Sequence, residues 1–146
     1  MKVVVQRSKE ASVAVNNKVV GKIDKGLVLL VGFTTNDNID IIKYMVDKII
    51  NLRIFDDENN VMNKSLKEIN GSILSISQFT LYADCKKGRR PSYINALSPD
   101  EAKILYDRFN EELRKNNIIV KTGIFKADMQ VSLINDGPVT IILERS

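Results

Sequence analysis

The sequence predicts an α+β protein built in layers, and three observations support this fold class. Several short segments rich in valine, isoleucine and leucine are typical of β-strands. Two longer segments carry apolar residues at the spacing of amphipathic helices. The helices do not alternate with the strands as a doubly wound parallel sheet requires. Because no Pro-rich or Gly-rich linker divides the chain, we expect residues 1–146 to form a single domain.

The first part of the chain predicts a hairpin, a buried strand and a helix. Valine-rich runs flank Asn16-Asn17, and asparagine accepts the left-handed conformations of tight turns. The run from Leu27 to Phe33 is almost entirely apolar, which is typical of a strand covered on both faces. A helix of about four turns follows, with Asp37 as its predicted N-cap. Its apolar face comprises Ile42, Met45, Val46, Ile49 and Ile50.

The second part predicts a loop, a long strand, a second helix and further strands. The loop covers 56–63, and the strand runs from Ser72 to about Tyr82. Ser98 is the predicted cap of the second helix, with Pro99 at its first position and Glu101 completing a capping box. The buried stripe of this helix comprises Ala102, Leu105, Tyr106, Phe109 and Leu113. The later strands are predicted at 118–122, 129–134 and 139–143.

The composition excludes several kinds of active site. The chain has no histidine and a single cysteine, Cys85, so Ser-His-Asp and Cys-His triads, His/Cys zinc sites and an intrachain disulfide are excluded. Cys85 has no histidine to activate it, and although neighbouring Lys86 could lower the pKa of its thiol, Cys85 is interpreted as incidental. The net charge of +4 permits an anionic partner without requiring one. The lone cysteine and the absence of a signal-like N-terminus favour a cytoplasmic protein.

Polar residues enter an apolar pattern near the end of the strand predicted at 72–82. If the strand continues, Gln78 and Thr80 follow Leu74 and Ile76 on the same face. Buried polar groups need hydrogen-bond partners, so these side chains would either be paired internally or line a cavity. The alternative is that they mark the solvated end of a strand.

Two further segments have both an ordinary and a functional interpretation. The residues from Asn135 to Thr140 favour a turn between two strands, and the Gly137-Pro138 peptide bond within them could be cis. The loop from Asp84 to Pro91 carries four cations within five residues, which either form a solvated loop or neutralise phosphates. Those cations are Lys86, Lys87, Arg89 and Arg90.

Taken together, these motifs closely resemble the D-aminoacyl-tRNA deacylase family along essentially the whole chain. Two core motifs occur in the family's order, and further matches lie around them. The matching segments are Met1 to Arg7, Ser77 to Leu81, Ala83-Asp84, Arg90-Pro91-Ser92, Ser98-Pro99, Ala127 to Val131 and Asn135 to Thr140. Lys126 departs from the pattern, because many relatives have a small residue there, and this difference affects either the pocket rim or a tRNA contact.

The resemblance implies a fold and an activity. The fold would be a barrel-like core of layered sheets with two main helices on the outside. The activity would be hydrolysis of the ester between a D-amino acid, or glycine, and the terminal adenosine of tRNA, with L-aminoacyl substrates rejected. The family also implies a homodimer with active sites at the subunit interface, and we expect no cofactor and no metal.

The resemblance further assigns roles to residues of this sequence. Ser77, Gln78, Phe79 and Thr80 would line one wall of the aminoacyl pocket. Gly137-Pro138 would enter that pocket from the other subunit and hold the α-amino group of the substrate. The supporting residues would be Arg7, which braces the Gly137-Pro138 loop, and Phe125 and Met129, which lie near the pocket.

The chemistry leaves a choice of mechanism and of function class. Ester hydrolysis needs an oxyanion hole, for which we consider the backbone N–H groups of Phe79 and Thr80. Thr80 is the one candidate nucleophile in the motif, yet no base is visible beside it, so we favour assistance by the ribose 2′-OH of the substrate. The rival functions are a non-catalytic tRNA- or RNA-binding module that uses the basic loop and a general esterase.

Overall fold

The computed structural model describes residues 1–146, which form eight strands and two α-helices. The helices are α1 (Ile39–Asn51) and α2 (Pro99–Lys115). The strands are β1 (Lys2–Val15), β2 (Lys18–Ile23), β3 (Gly26–Gly32), β4 (Phe55–Asp56), β5 (Met62–Lys64), β6 (Ser72–Ser77), β7 (Val120–Thr122) and β8 (Gln130–Glu144). A 3₁₀ helix, Phe79–Tyr82, follows β6.

A six-stranded sheet forms most of the molecule. Strand β1 pairs antiparallel with β2 and β3 along one edge and with β8 along the other. Beyond β3 come β6 and β7, each parallel to its neighbour. Strand β2 also lies against β6 and β7, so the sheet curls into a nearly closed barrel. The predicted α+β fold with a barrel-like core is therefore confirmed.

Two apolar cores lie on opposite faces of this sheet. The larger core packs α1 and α2 against side chains such as Val3 and Val5 of β1. The smaller core fills the barrel and includes Ala11 and Val13, which are also odd-numbered residues of β1. Odd-numbered residues of a regular strand point to one face, so β1 must change face between Val5 and Ala11.

An irregular pairing with β8 produces this change of face. Between Ser8 and Ala11, β1 advances three residues while β8 advances two, from Asn135 to Leu133. One extra residue reverses the side-chain alternation of the strand. One valine-rich strand thereby contributes to both cores.

Helix α1 buries the five residues predicted for its apolar face, but its N-cap is Asn38. The Asn38 side chain accepts hydrogen bonds from the backbone N–H groups of Asp40 and Ile41 at 3.0 and 3.1 Å. The prediction of Asp37 as N-cap is wrong because its carboxylate accepts from the N–H of Thr34 at 2.8 Å and pairs with the amino group of Met1.

Helix α2 begins as predicted, with Pro99 at its first position. The predicted capping box does not form, because the Ser98 hydroxyl donates to the Glu101 carboxylate and caps no backbone N–H. Tyr106, Phe109 and Leu113 are buried as predicted, while the remaining two members of the stripe are partly buried against the same core. Neither helix combines the length and hydropathy needed to span a membrane.

The sequence overestimated the length of the strand at 72–82. Strand β6 ends at Ser77, and the chain turns back as the 3₁₀ helix, which packs closely over Gly32. A Cβ atom at Gly32 would lie 3.0 Å from the carbonyl oxygen of Gln78. Gln78 and Thr80 therefore do not continue the buried face of Leu74, and both are half-buried at the end of the strand.

Several other predicted boundaries also differ. The strands predicted at 129–134 and 139–143 are the two ends of one strand, β8, so the segment between them does not reverse the chain. The predicted 56–63 loop is the connection of a short β4–β5 hairpin. The Asn16-Asn17 hairpin is confirmed, and both residues have positive φ values.

Candidate active site

A cavity of about 560 Å³ opens where the barrel meets the start of α2. Its walls come from the ends of β3 and β6, the 3₁₀ helix, the loop before α2 and the loop between β7 and β8. Twelve of its 18 lining residues are hydrophobic, and Lys126 is the only charged one. The cavity therefore suits a ligand with an extended apolar or aromatic surface.

Five of the site residues suggested by the sequence line this cavity. Ser77, Gln78 and Phe79 form one wall, and Phe125 and Met129 lie in the wall from the β7–β8 loop. Thr80 is not a lining residue, but its hydroxyl accepts a hydrogen bond from the side-chain amide of Gln78. The Ser77–Thr80 motif thus lies where the buried strand β6 ends beside the cavity.

The backbone at this turn supplies hydrogen-bond donors. The N–H of Gln78 is used, because it donates to the carbonyl oxygen of Val31 at 2.7 Å. The next N–H groups belong to Phe79 and Thr80, the first residues of the 3₁₀ helix. The first N–H groups of a helix have no acceptor within it, so these two are available to an oxygen atom of a ligand.

Phe125 is supported from behind by a buried tyrosine. The rings of Tyr106 and Phe125 lie 5.8 Å apart, and the Tyr106 hydroxyl donates to the carbonyl oxygen of Ser75 at 2.8 Å. Burial raises the pKa of Tyr106, so its hydroxyl stays protonated and keeps donating at neutral pH. This contact connects the cavity wall to the middle of β6.

Tyr93 is a cavity residue that the sequence did not suggest. Its ring packs edge to face against Phe79, with 5.0 Å between centroids and 67° between planes. The site also includes residues at the start of α2, such as Pro99 and Ala102. Only the place of Tyr93, directly after the Arg90-Pro91-Ser92 match, could have drawn attention to it.

Arg7, Gly137 and Pro138 lie in a second cluster, because none of them lines the cavity of the same chain. From Gln6 to Ser8, β1 advances two residues while β8 advances five, so the segment from Asp136 to Val139 projects from the ladder opposite Arg7. The Gly137-Pro138 peptide bond is cis, and Gly137 has a φ of 124°.

Side chains on both sides hold this projecting segment. The Arg7 guanidinium donates to the carbonyl oxygens of Asp136 at 3.0 Å and Ile54 at 2.8 Å. It also lies 3.4 Å from the Asp56 carboxylate. Asn135 closes the base of the segment by accepting from the Val139 N–H at 3.1 Å. Gly137 and Pro138 themselves are left exposed.

The basic loop lies beside the cavity and outside it. Its ends are joined by a pair of backbone hydrogen bonds between Asp84 and Ser92, at 2.8 and 2.9 Å. The four cations predicted there, Lys86, Lys87, Arg89 and Arg90, are all exposed and form no ion pair. The loop therefore presents uncompensated positive charge next to the site.

Comparison with known proteins identifies the family. A family model described as D-Tyr-tRNA(Tyr) deacylase matches residues 4–144. The chain belongs to the D-aminoacyl-tRNA deacylase family. It is 59% identical to a D-aminoacyl-tRNA deacylase of Bacillus cytotoxicus and 58% identical to one of Bacillus thuringiensis, each match covering 99% of both chains. Membership in this deacylase family makes the chain an enzyme of the hydrolase class.

Solved structures of similar proteins share this fold. A structure titled c-Myc DNA Unwinding Element Binding Protein superposes with a TM-score of 0.95 at 41% identity, covering 100% of this chain and 99% of that one. A probable eukaryotic D-amino acid tRNA deacylase superposes with a TM-score of 0.84 over 97% of both chains. At 20% identity, this second deacylase likeness supports the fold alone.

Lys126 provides a test of strain at the cavity. It is the third residue of a turn from Ile124 to Ala127, closed by a 3.1 Å backbone hydrogen bond, and its φ is 67°. Every other non-glycine residue with positive φ is an asparagine, and a lysine pays about 1–2 kcal/mol for this conformation. We therefore expect Lys126→Gly to raise the free energy of unfolding by roughly 1 kcal/mol in urea titrations.

The control for this prediction is Lys121→Gly, since Lys121 is an exposed residue of β7 with ordinary backbone geometry. A glycine there is expected to destabilise the strand. An unfolding free energy for Lys126→Gly at or below that of the parent protein would contradict the strain argument.

Proposed function

We propose that this chain, acting as a single domain, hydrolyses the ester bond of D-aminoacyl-tRNA and of glycine mischarged on tRNA, and that it rejects L-aminoacyl substrates. The observation that carries the proposal is the cavity lined by Ser77, Gln78 and Phe79, at the turn where the N–H groups of Phe79 and Thr80 begin a 3₁₀ helix. The aminoacyl-adenosine end of the tRNA would occupy this cavity. Charged tRNA is used in the cytoplasm, so the proposal assigns the reaction to that compartment.

The proposed mechanism uses the substrate's own ribose. Among the lining residues there is no carboxylate or imidazole that could act as a general base. In the proposal, water attacks the ester carbon with help from the terminal 2′-OH, and the N–H groups of Phe79 and Thr80 stabilise the oxyanion. The bond to the 3′ oxygen then breaks, and that oxygen leaves with a proton.

The hydrogen bond from Gln78 supports a positioning role for Thr80, in place of a nucleophilic one. Because the Thr80 hydroxyl accepts from Gln78, it is held in place, and it donates no hydrogen bond to a side chain that could remove its proton. An unassisted hydroxyl is a weak nucleophile at neutral pH. We therefore assign Thr80 to positioning the turn and its N–H groups.

This mechanism predicts how Thr80→Ala and a 2′-deoxy substrate behave. We expect the parent protein to release D-Tyr and Gly from tRNA and to leave L-Tyr-tRNA intact. Thr80→Ala should retain D-Tyr release within about tenfold, whereas a 2′-deoxy terminal adenosine should slow it by at least roughly 100-fold. The measurement is the single-turnover release rate from radiolabelled charged tRNA.

Other outcomes select the alternatives. A folded Thr80→Ala protein that binds substrate without cleaving it would assign the nucleophile to Thr80. Release of neither enantiomer by the parent protein would favour the non-catalytic RNA-binding module, and turnover of simple activated esters without tRNA would favour a general esterase. The 41% identical protein is named for binding a DNA element, and this name is the reason to test the binding alternative directly.

We further propose a homodimer in which Gly137-Pro138 of one subunit enters the cavity of the other. Support comes from the projecting segment, which is exposed and does not line its own cavity. Strand β8 pairs on one edge only, and its residues Ile134 and Ile142 are 54% and 66% exposed. In this arrangement, the carbonyl groups of the segment would hold the substrate α-amino group and leave no space for an L side chain.

Subunit mixing tests the insertion from the partner. Gly137→Ala places a Cβ 2.9 Å from Val139 and 3.0 Å from the Arg7 guanidinium, so it should displace the segment and abolish activity. Phe79→Ala should inactivate the cavity. Mixed dimers of the two variants would contain one intact site, so co-refolding equal amounts should restore about a quarter of the parental activity.

The matched control mixes Gly137→Ala with the Gly137→Ala/Phe79→Ala double variant, which provides no intact cavity-and-segment pair. Activity no higher than in this control would contradict insertion from the partner. Sedimentation equilibrium on the same samples measures the mass, and an active monomer of 16.5 kDa would contradict the dimer itself.

The exposed cations of the basic loop are proposed to contact tRNA phosphates. Neutralising one of them, for example Arg89→Gln, should flatten the slope of log affinity against log salt by about one unit and leave D/L selectivity unchanged. The slope is measured by filter binding of uncharged tRNA across a salt series. Lys43→Gln, on the exposed face of α1, is the control with the same charge change.

If Arg89→Gln and Lys43→Gln leave the same slope as the parent protein, the loop is an ordinary solvated loop. A changed D/L ratio would instead connect the loop to the aminoacyl site.

A further inference from the structure

The aromatic pair at the cavity mouth lies between the cavity and the basic loop. Phe79 belongs to the 3₁₀ helix that follows β6, and Tyr93 comes directly after Ser92, which closes the loop. Both rings line the cavity, yet Phe79 is 57% exposed and Tyr93 is 41% exposed. Their position brings aromatic and positively charged surfaces together at one opening.

The loop closure fixes this arrangement. Backbone hydrogen bonds in both directions join Asp84 to Ser92, and the Asp84 carboxylate also accepts from the N–H of Lys86 at 2.9 Å. The loop that carries the cations therefore ends at Ser92, directly before Tyr93. Elsewhere in the chain, basic residues form seven ion pairs with carboxylates, but those of the loop form none.

The exposure of Tyr93 has no explanation in the fold. Its hydroxyl makes no hydrogen bond within the chain, and the contact between the two rings leaves much of both accessible. Exposed aromatic rings next to unpaired cations are typical of sites for single-stranded nucleic acids, where bases stack on the rings and cations follow the phosphates.

We propose that Tyr93 is a stacking platform for the nucleobase that precedes the terminal nucleoside of the RNA. This inference rests on the proposed function, in which the terminal aminoacyl-adenosine occupies the cavity. The chain of the RNA then leaves the cavity over Tyr93 and continues along the basic loop. The site thus recognises an unpaired 3′ end, because a base within a duplex cannot stack on the ring.

The test is a double-mutant cycle that combines removal of the Tyr93 ring with removal of the penultimate base of the RNA. The probes are the single-stranded RNA ACCA carrying D-tyrosine on its 3′ end through a non-hydrolysable amide, and the same RNA with an abasic penultimate position. In the parent protein, base removal should raise the Kd by about 5- to 100-fold. In Tyr93→Ala, the intact RNA should bind about as weakly as the abasic RNA, and base removal should have no further effect.

Two control variants separate stacking from other roles. Tyr93→Phe keeps the ring and should retain the parental difference between the two RNAs. Ile94→Ala alters the neighbouring side chain, which is 86% exposed, and should bind both RNAs as the parent does. If Tyr93→Ala weakens both RNAs equally and the effect of base removal persists, Tyr93 is only part of the cavity wall and the inference is overturned.

The remaining outcomes are also decisive. An abasic RNA that binds the parent protein as well as intact RNA overturns the inference, and so does a failure of both RNAs to bind. Release of D-Tyr from full-length D-Tyr-tRNA is measured in parallel. If base removal has no effect in the parent protein but D-Tyr is still released, only the stacking site is contradicted. If the parent protein releases no D-Tyr, the proposed function is contradicted.

Discussion

The alternation of side chains along a β-strand is the constraint on which this structure depends. Strand β1 must serve one core beside the helices and another inside the barrel, and both cores draw on its odd-numbered residues. A regular strand cannot do this, so the pairing with β8 is irregular on both sides of Ser8. The residue displaced from β1 switches the face, and the residues displaced from β8 form the projecting Gly137-Pro138 segment. The barrel and the segment are thus two results of one pairing.

Burial of a charged residue stabilises this irregular region. The Arg7 side chain is 9% exposed, which would be costly for an unpaired cation, and carbonyl and carboxylate oxygens surround it. These contacts connect the projecting segment to the residues after α1 and so to the helix layer. In contrast, the cavity is almost uncharged, and its polar side chains are mostly amides and hydroxyls. The charged Arg7 side chain thus holds the projecting segment, whereas the cavity is lined mostly by hydrophobic residues and offers backbone N–H groups to a ligand.

The sequence predicted the features that depend on local chemistry and missed those that depend on distant pairing. The Asn16-Asn17 turn, the apolar strand before Phe33 and the buried faces of both helices follow from backbone preference and periodicity. Two apolar runs separated by turn residues look the same whether they form a hairpin or pair with one long partner. The continuity of β8 across Asn135 to Thr140 was therefore beyond local patterns.

The candidate site shows the same division. The motif around Gln78 was recognisable, but the end of β6 at Ser77 depends on the close approach to Gly32, which alternation cannot predict. Tyr93 reaches the cavity only because the loop before it is closed, and no periodic signal marks a lone aromatic residue in a loop. The left-handed turn at Lys126 was equally invisible, because lysine carries no turn preference.

The two hydrogen bonds that join Asp84 to Ser92 also separate the loop from the rest of the molecule. Everything between them is exposed, so changes in its length or charge leave the sheet and the cavity undisturbed. We expect the loop from Cys85 to Arg89 to vary more readily in length and charge than the residues around the cavity, whereas Arg90-Pro91 belongs to a segment that matches the family. The exposed loop and the cavity are thereby structurally independent parts of one small chain.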